Sequence, residues 1–172
     1  MELLDRFLEE LQGWGEHMNL VGSLAPEALR VHIEDSLAAA PHLSEGARVV
    51  DLGSGAGFPG LPLAIARPDL RIALVEIRER RVSFLRHVVR TLDLGCEVLR
   101  VRIEDPPELP YDFALLRALA PPSEALPRAW PWIHDRGQVW IWSTEPASAL
   151  PPTPLAPIPL DTRGAIHRLA AH

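Results

Sequence analysis

The chain has 172 residues, 47 % hydrophobic and 23 % charged, with a formal net charge of −6, which suits one globular domain with a sizeable core. No apolar run approaches the ~18 residues that span a bilayer, the acidic start reads as neither signal nor transit peptide, and a lone Cys96 excludes an intrachain disulfide or a cysteine-based metal site. All 17 basic residues are arginine, and the acidic balance counts against a strongly basic nucleic-acid binder while leaving room for a local basic patch.

Leu3, Leu4, Phe7, Leu8, Leu11 and Trp14 recur at helical spacing among acidic neighbours, predicting an amphipathic opening helix that stops near Gly13 and Gly15. A second helix is expected from Pro26, a residue suited to a first turn, to about Ala40. Pro41 and Gly46 then break the chain before a first strand, Arg48 to Leu52. Further strands are read at Ile72 to Val75, Glu97 to Val101, Phe113 to Leu116 and Gln138 to Trp142. Helices are read from Glu79 to Leu92, with Val82, Leu85, Val89 and Leu92 inward, and around Ser123 to Trp130. The alternation implies an α/β fold, Rossmann-like, with a mostly parallel sheet, helices on both faces and two leading helices. Pro146, Pro151, Pro152, Pro154, Pro157 and Pro159 argue against regular structure in that stretch, with Gly164 to Ala171 returning as a final edge strand. The expected layout is a single domain over residues 1–172: an N-terminal helical region (1–45), a Rossmann-like core (46–145) and a proline-rich segment (146–172).

The informative run is Val49-Val50-Asp51-Leu52-Gly53-Ser54-Gly55-Ala56-Gly57-Phe58-Pro59-Gly60, an apolar strand entering three alternate glycines before a helix. Glycine permits positive φ and close approach of a ligand to the backbone. Gly55 to Gly60 matches the dinucleotide pattern G-x-G-x-x-G. Asp51, however, would repel a pyrophosphate, whereas the cationic aminoacid end of S-adenosylmethionine tolerates an acid. Glu76, at the end of the next strand, can accept hydrogen bonds from ribose hydroxyls of either cofactor.

Gly53 to Asp69 closely resembles the signature of the bacterial 16S rRNA guanine-N7 methyltransferases, the family once named glucose-inhibited division protein B. The likeness extends to Asn19-Leu20, to His32-Ile33-Glu34-Asp35-Ser36-Leu37, to Arg80-Arg81-Val82-Ser83-Phe84-Leu85 and to Arg117-Ala118-Leu119-Ala120-Pro121. It implies a class I S-adenosylmethionine-dependent methyltransferase acting on 16S rRNA or the small ribosomal subunit, in the cytoplasm; the oligomeric state is left open, with a monomer as the expectation. It implies cofactor contacts from Gly53, Phe58, Glu76, Ile77, Ile103, Glu104 and Arg117, beside the loop residues Asp51, Gly55 and Gly57. The chain departs from the family at Trp142-Ser143, where a Lys-Gly pair is usual, and in its short proline-rich end.

N7 of guanine has a free lone pair, so attack needs no general base and alignment can supply most of the rate. Arg117 is the one catalytic candidate, able to orient a base or phosphate through its planar fork, or simply to pair with an acid. His32, Asp35 and Ser36 share a helix face. They are read either as substrate contacts or as a polar latch to the domain, and Asn19 as a cap or a substrate contact. Trp140 and Trp142 are expected in the core rather than stacking on bases. Arg78, Arg80, Arg81, Arg86 and Arg90 are read equally as a solvated face or as an RNA-phosphate surface. A different acceptor, a catalytically silent relative and an NAD-dependent oxidoreductase are the competing functions.

Overall fold

The computed structural model describes residues 2–144, 154–161 and 164–171. Its first helix, α1 (Glu2–Gly15), buries Phe7 and Leu11 completely, each burial contributing about 1.5–3 kcal/mol. The second, α2 (Pro26–Leu37), has proline in its first turn and buries Leu29 and Ile33. It ends earlier than the sequence suggests and is followed by a single 3₁₀ turn, Ala40–His42.

The strands are β1 (Arg48–Leu52), β2 (Arg71–Val75), β3 (Glu97–Leu99), β4 (Tyr111–Arg117), β5 (Ile133–Ser143), β6 (Pro154–Pro159) and β7 (Ala165–Ala170). Between them run α3 (Gly60–Ala66), α4 (Glu79–Thr91), α5 (Pro122–Ala129) and a 3₁₀ turn, Trp130–Trp132. The sheet order is β3-β2-β1-β4-β5-β7-β6, with β7 antiparallel to both its neighbours and β1 to β5 mutually parallel. Val49, Val50, Asp51 and Leu52 are all buried, as expected of a central parallel strand covered on both faces.

The cover is uneven. Helices α1 to α4 pack on one face over Val49, Leu74, Leu115 and Trp140. On the other face α5 and its 3₁₀ turn cover Val50, Leu116 and Ile141. Trp140 and Trp142 lie in the first of these cores, as their alternate positions imply, and Trp140 meets Phe113 edge-on.

The C-terminal region differs from the sequence reading in two ways. Pro154–Pro159 is a strand despite its prolines, because it lies at the sheet edge and bonds only to β7, so missing N–H groups cost little there. The pairing is irregular between Leu155 and Ile158, flanking Pro157. Conversely, β7 is interior and not the edge strand expected for Gly164 to Ala171. The remaining prolines of that stretch, Pro146, Pro151 and Pro152, lie outside the described residues.

Candidate active site

In this order the chain leaves β1 toward β2 on one side and β4 lies on the other, so a topological switch point falls between the carboxyl ends of β1 and β4. Open parallel sheets hold ligands at that crevice. The glycine loop leaves β1 there, and Arg117-Ala118 leaves β4.

Gly53, Gly55 and Gly57 have φ of 76°, 54° and 88°, so all three occupy the left-handed region. Gly53 and Ser54 donate their N–H groups to Val75 O, each at 2.9 Å, and Gly57 N–H donates to Ser54 O at 2.6 Å. A Cβ on Gly53 would lie 2.5 Å from Leu119 Cδ1. One on Gly55 would meet only Arg81 Nη1 and Gly53 O at 3.5 and 3.7 Å. Its missing side chain therefore opens onto the crevice.

Asp51 has a different place from the one its sequence position suggests. It is 1 % exposed and lines none of the three clefts that meet at the crevice. Its Oδ2 accepts the Gly60 N–H at 3.0 Å from behind the loop. Burial pushes its pKa up to about 7, against the opposing hydrogen bonds from Gly60 and Ser54. A dinucleotide fold offers its first helix N-terminus to pyrophosphate. Here the first N–H of α3 is taken by Asp51 and the preceding residue is Pro59, so a phosphate finds little to bind.

The first of these clefts, of about 530 Å³, is lined by Gly53, Glu76, Ile77, Arg81, Ile103 and Glu104, among others. Glu76 is 6 % exposed, and its Oε1 accepts the N–H groups of Ile77 and Arg78, both at 2.9 Å. Its Oε2 lies 3.7 Å from Arg81 Nη1 and remains able to accept from a ligand. Ile77 is half exposed at the mouth. Ile103 is held through its carbonyl, which accepts from Trp132 Nε1 at 2.7 Å. Glu104 stands at the rim between Arg102 and Arg128, 3.8 Å from each.

A second cleft, about 310 Å³, runs over Gly53, Ser54, Gly55 and Phe58 beneath Leu20, Val21 and Gly22 of the α1–α2 connection. Arg81 anchors that connection by donating to Asn19 O at 3.2 Å, while Arg80 donates to His17 O at 3.3 Å. Asn19 itself is exposed and does not line the cleft.

The third cleft, about 420 Å³, is lined by His32, Asp35, Arg117, Pro121, Trp142 and Ser143, among others. Arg117 Nη1 donates to His32 O at 3.1 Å and to Ser36 Oγ at 3.4 Å. Its Nη2 contacts His32 Nδ1 at 2.7 Å and Asp35 Oδ2 at 3.2 Å. Ser36 is fully buried and donates to His32 O at 2.6 Å. Trp142 Nε1 adds a bond to Asp35 O at 2.8 Å. The latch reading of His32, Asp35 and Ser36 therefore has direct geometric support, and Ser36 is out of reach of a ligand. Burial first, then the Arg117 charge, pulls the His32 pKa down.

Ala118 lines all three clefts and has φ of 52°, a strained conformation for a residue with a Cβ. The sequence reading marks none of Ala118, Trp132 or the Leu20–Gly22 cover as site residues, though Leu20 and Ala118 stand in runs that resemble the family, as does Arg81, which also belongs to the basic cluster. The signal for Arg81 is the Arg80-Arg81 pair that follows Glu76 by four residues. The other three depend on tertiary placement.

Solved structures of the same architecture define the class. A SAM-dependent methyltransferase from Aquifex aeolicus superposes with a TM-score of 0.62 at 19 % identity, covering 82 % of this chain and 93 % of the other. Coclaurine N-methyltransferase, solved with N-methylheliamine and SAH, gives 0.60 at 22 % identity over 79 % of this chain and 42 % of its own. The fold is thus that of the class I methyltransferases. Within that class, residues 1–147 match the GidB family, rRNA small subunit methyltransferase G, and the chain belongs to it. The Desulfotalea psychrophila member is 52 % identical over 111 residues, 63 % of this chain and 51 % of its own. That from Hyphomonas neptunium is 36 % identical over 143 residues, 83 % of this chain and 69 % of its own. The chain spans from about half to two thirds of the length of these curated relatives.

Proposed function

We propose that this chain transfers a methyl group from S-adenosylmethionine to N7 of a guanine in 16S rRNA of the small ribosomal subunit, in the cytoplasm. The observation that carries the cofactor assignment is the glycine loop. Gly53 and Gly55 border an open crevice and Gly57 completes the left-handed turn behind them, while Asp51 occupies the helix N–H that a phosphate would need. In this reading Gly53, Gly55, Gly57 and Phe58 surround the aminoacid end. Glu76 takes ribose hydroxyls through Oε2, and Ile77, Ile103 and Glu104 border the adenine. Asp51 supports the loop from behind without touching the ligand. Arg117 holds α2 against the sheet.

S-adenosylmethionine, when bound, would supply an electrophilic methyl on a sulfonium, with the thioether as leaving group and the N7 lone pair as nucleophile, so that no proton would have to move. The protein's task is alignment and exclusion of water. The acceptor assignment rests on membership of the family.

The test is transfer of labelled methyl to small ribosomal subunits lacking N7-methylguanine, with the product base identified by mass spectrometry. Label on guanine N7 is expected. Label elsewhere, or tight cofactor binding without transfer, would replace the reading with another acceptor or a silent relative.

A further inference from the structure

Guanine presents N7 and O6 side by side on one edge, and a free arginine fork takes both. Such a contact would cover the lone pair that has to attack. Arg117 lines two of the three clefts, yet each of its terminal nitrogens already faces two acceptors on α2: His32 O and Ser36 Oγ for one, His32 Nδ1 and Asp35 Oδ2 for the other. Its fork is consumed. What the latch leaves toward the clefts is the His32 ring, which borders both the glycine-loop cleft and the 420 Å³ cleft. Because Arg117 has no lone pair to offer, His32 Nδ1 must be the acceptor of that 2.7 Å bond, which puts the ring proton on Nε2. Nε2 has no partner among the described residues and is not among their buried unpartnered atoms. The ring is also fixed by packing on Phe58, 5.2 Å between centroids.

We infer that His32 holds the acceptor guanine by a single hydrogen bond from Nε2–H to O6, leaving N7 bare, with Arg117 as the positioning residue that sets the tautomer. This rests on the guanine-N7 reading above and deepens it. A one-pronged donor is what the reaction requires beside a reacting N7, and the lowered His32 pKa keeps the ring neutral near pH 7.

Two amides separate this role from a purely structural one. Asparagine ends where Nδ1 lies and can still accept from Arg117, while glutamine reaches Nε2 and can still donate there. Transfer to unmodified small subunits by His32→Gln should stay within about threefold of wild type, and kcat/KM of His32→Asn should fall roughly 10- to 100-fold at unchanged thermal stability. Rescue by asparagine but not glutamine, or full activity in both, would overturn the proposal. Should either variant not fold, wild-type enzyme on subunits reconstituted with 6-thioguanine at the acceptor, a weak acceptor in place of O6, should lose roughly tenfold; an unchanged rate overturns it. Failure of the underlying reading is distinguishable, because wild type itself would then place no label on N7.

Discussion

The glycine-loop wall of the cleft is main chain from one short run, Gly53 to Gly60, whereas the facing wall is assembled from side chains that lie 81 to 85 positions apart. The first wall depends on what is missing, namely Cβ atoms at left-handed positions. The second depends on what is present, four hydrogen-bond contacts from one guanidinium to one helix. Residues of both walls touch where Arg117 lies 5.8 Å from the centre of the Phe58 ring. A backbone wall tolerates changes of side-chain chemistry but no added bulk; a side-chain wall tolerates bulk nearby but no loss of a partner.

The largest effect is expected from adding bulk to the first wall. A Cβ at Gly57 would collide with the Leu61 side chain, and φ of 88° is strained for any L residue. Gly57→Val should weaken S-adenosylmethionine binding by about 100-fold or more, measured by titration calorimetry. Affinity within a few-fold of wild type would break the comparison, since that wall would then not be a backbone cradle.

The same contrast explains what the sequence reveals. Strand β1 is legible to the residue, and the turn of the glycine loop with it, because strand, turn and following helix are all encoded within one continuous run. Asp51 is conspicuous in that run but its side is not: spacing puts a carboxylate near the loop without saying which way it faces, and the answer lies in its bond to Gly60. Arg117, His32, Asp35 and Ser36 can each be picked out, yet their mutual bonding joins β4 to α2 across about half the length of the chain and has no local signature. Strand β6 is hidden for a third reason. Proline's conflict with a sheet disappears at an edge, and only the tertiary order shows where the edge is.

A middle-sized effect should follow from removing a partner in the second wall. Arg117 and Asp35 side chains are 14 % and 11 % exposed, so their ion pair is largely desolvated. Arg117→Leu should cost about 2–4 kcal/mol, somewhat below the full cost of breaking a buried pair because some of it is wet. Hydrogen exchange sharpens the comparison. Amides of α2 should lose protection while those of α3, behind the glycine loop, keep theirs. Equal loss in both helices would mean that the walls are not independently held.

The smallest effect concerns the one ionisable group built into the backbone wall. Asp51 has a pKa near 7 in the folded protein against 3.8 for an ordinary aspartate, because burial disfavours the carboxylate. Well below the ordinary value of 3.8 both states hold the proton and nothing is lost. As pH rises the unfolded chain ionises first, so folded stability declines until the native group also ionises, near and above pH 7. The decline between pH 5 and 8 should be about 2–3 kcal/mol. Asp51→Asn keeps an acceptor for the Gly60 N–H but cannot ionise, so denaturation midpoints at pH 5, 6.5 and 8 should fall in wild type relative to the variant. His32 has the opposite sign, since its lowered pKa removes stability as pH falls, and subtracting variant from wild type cancels it. Parallel pH profiles would show that Asp51 ionises freely. Its carboxylate would then have access to water, and the backbone wall would be open from behind rather than sealed.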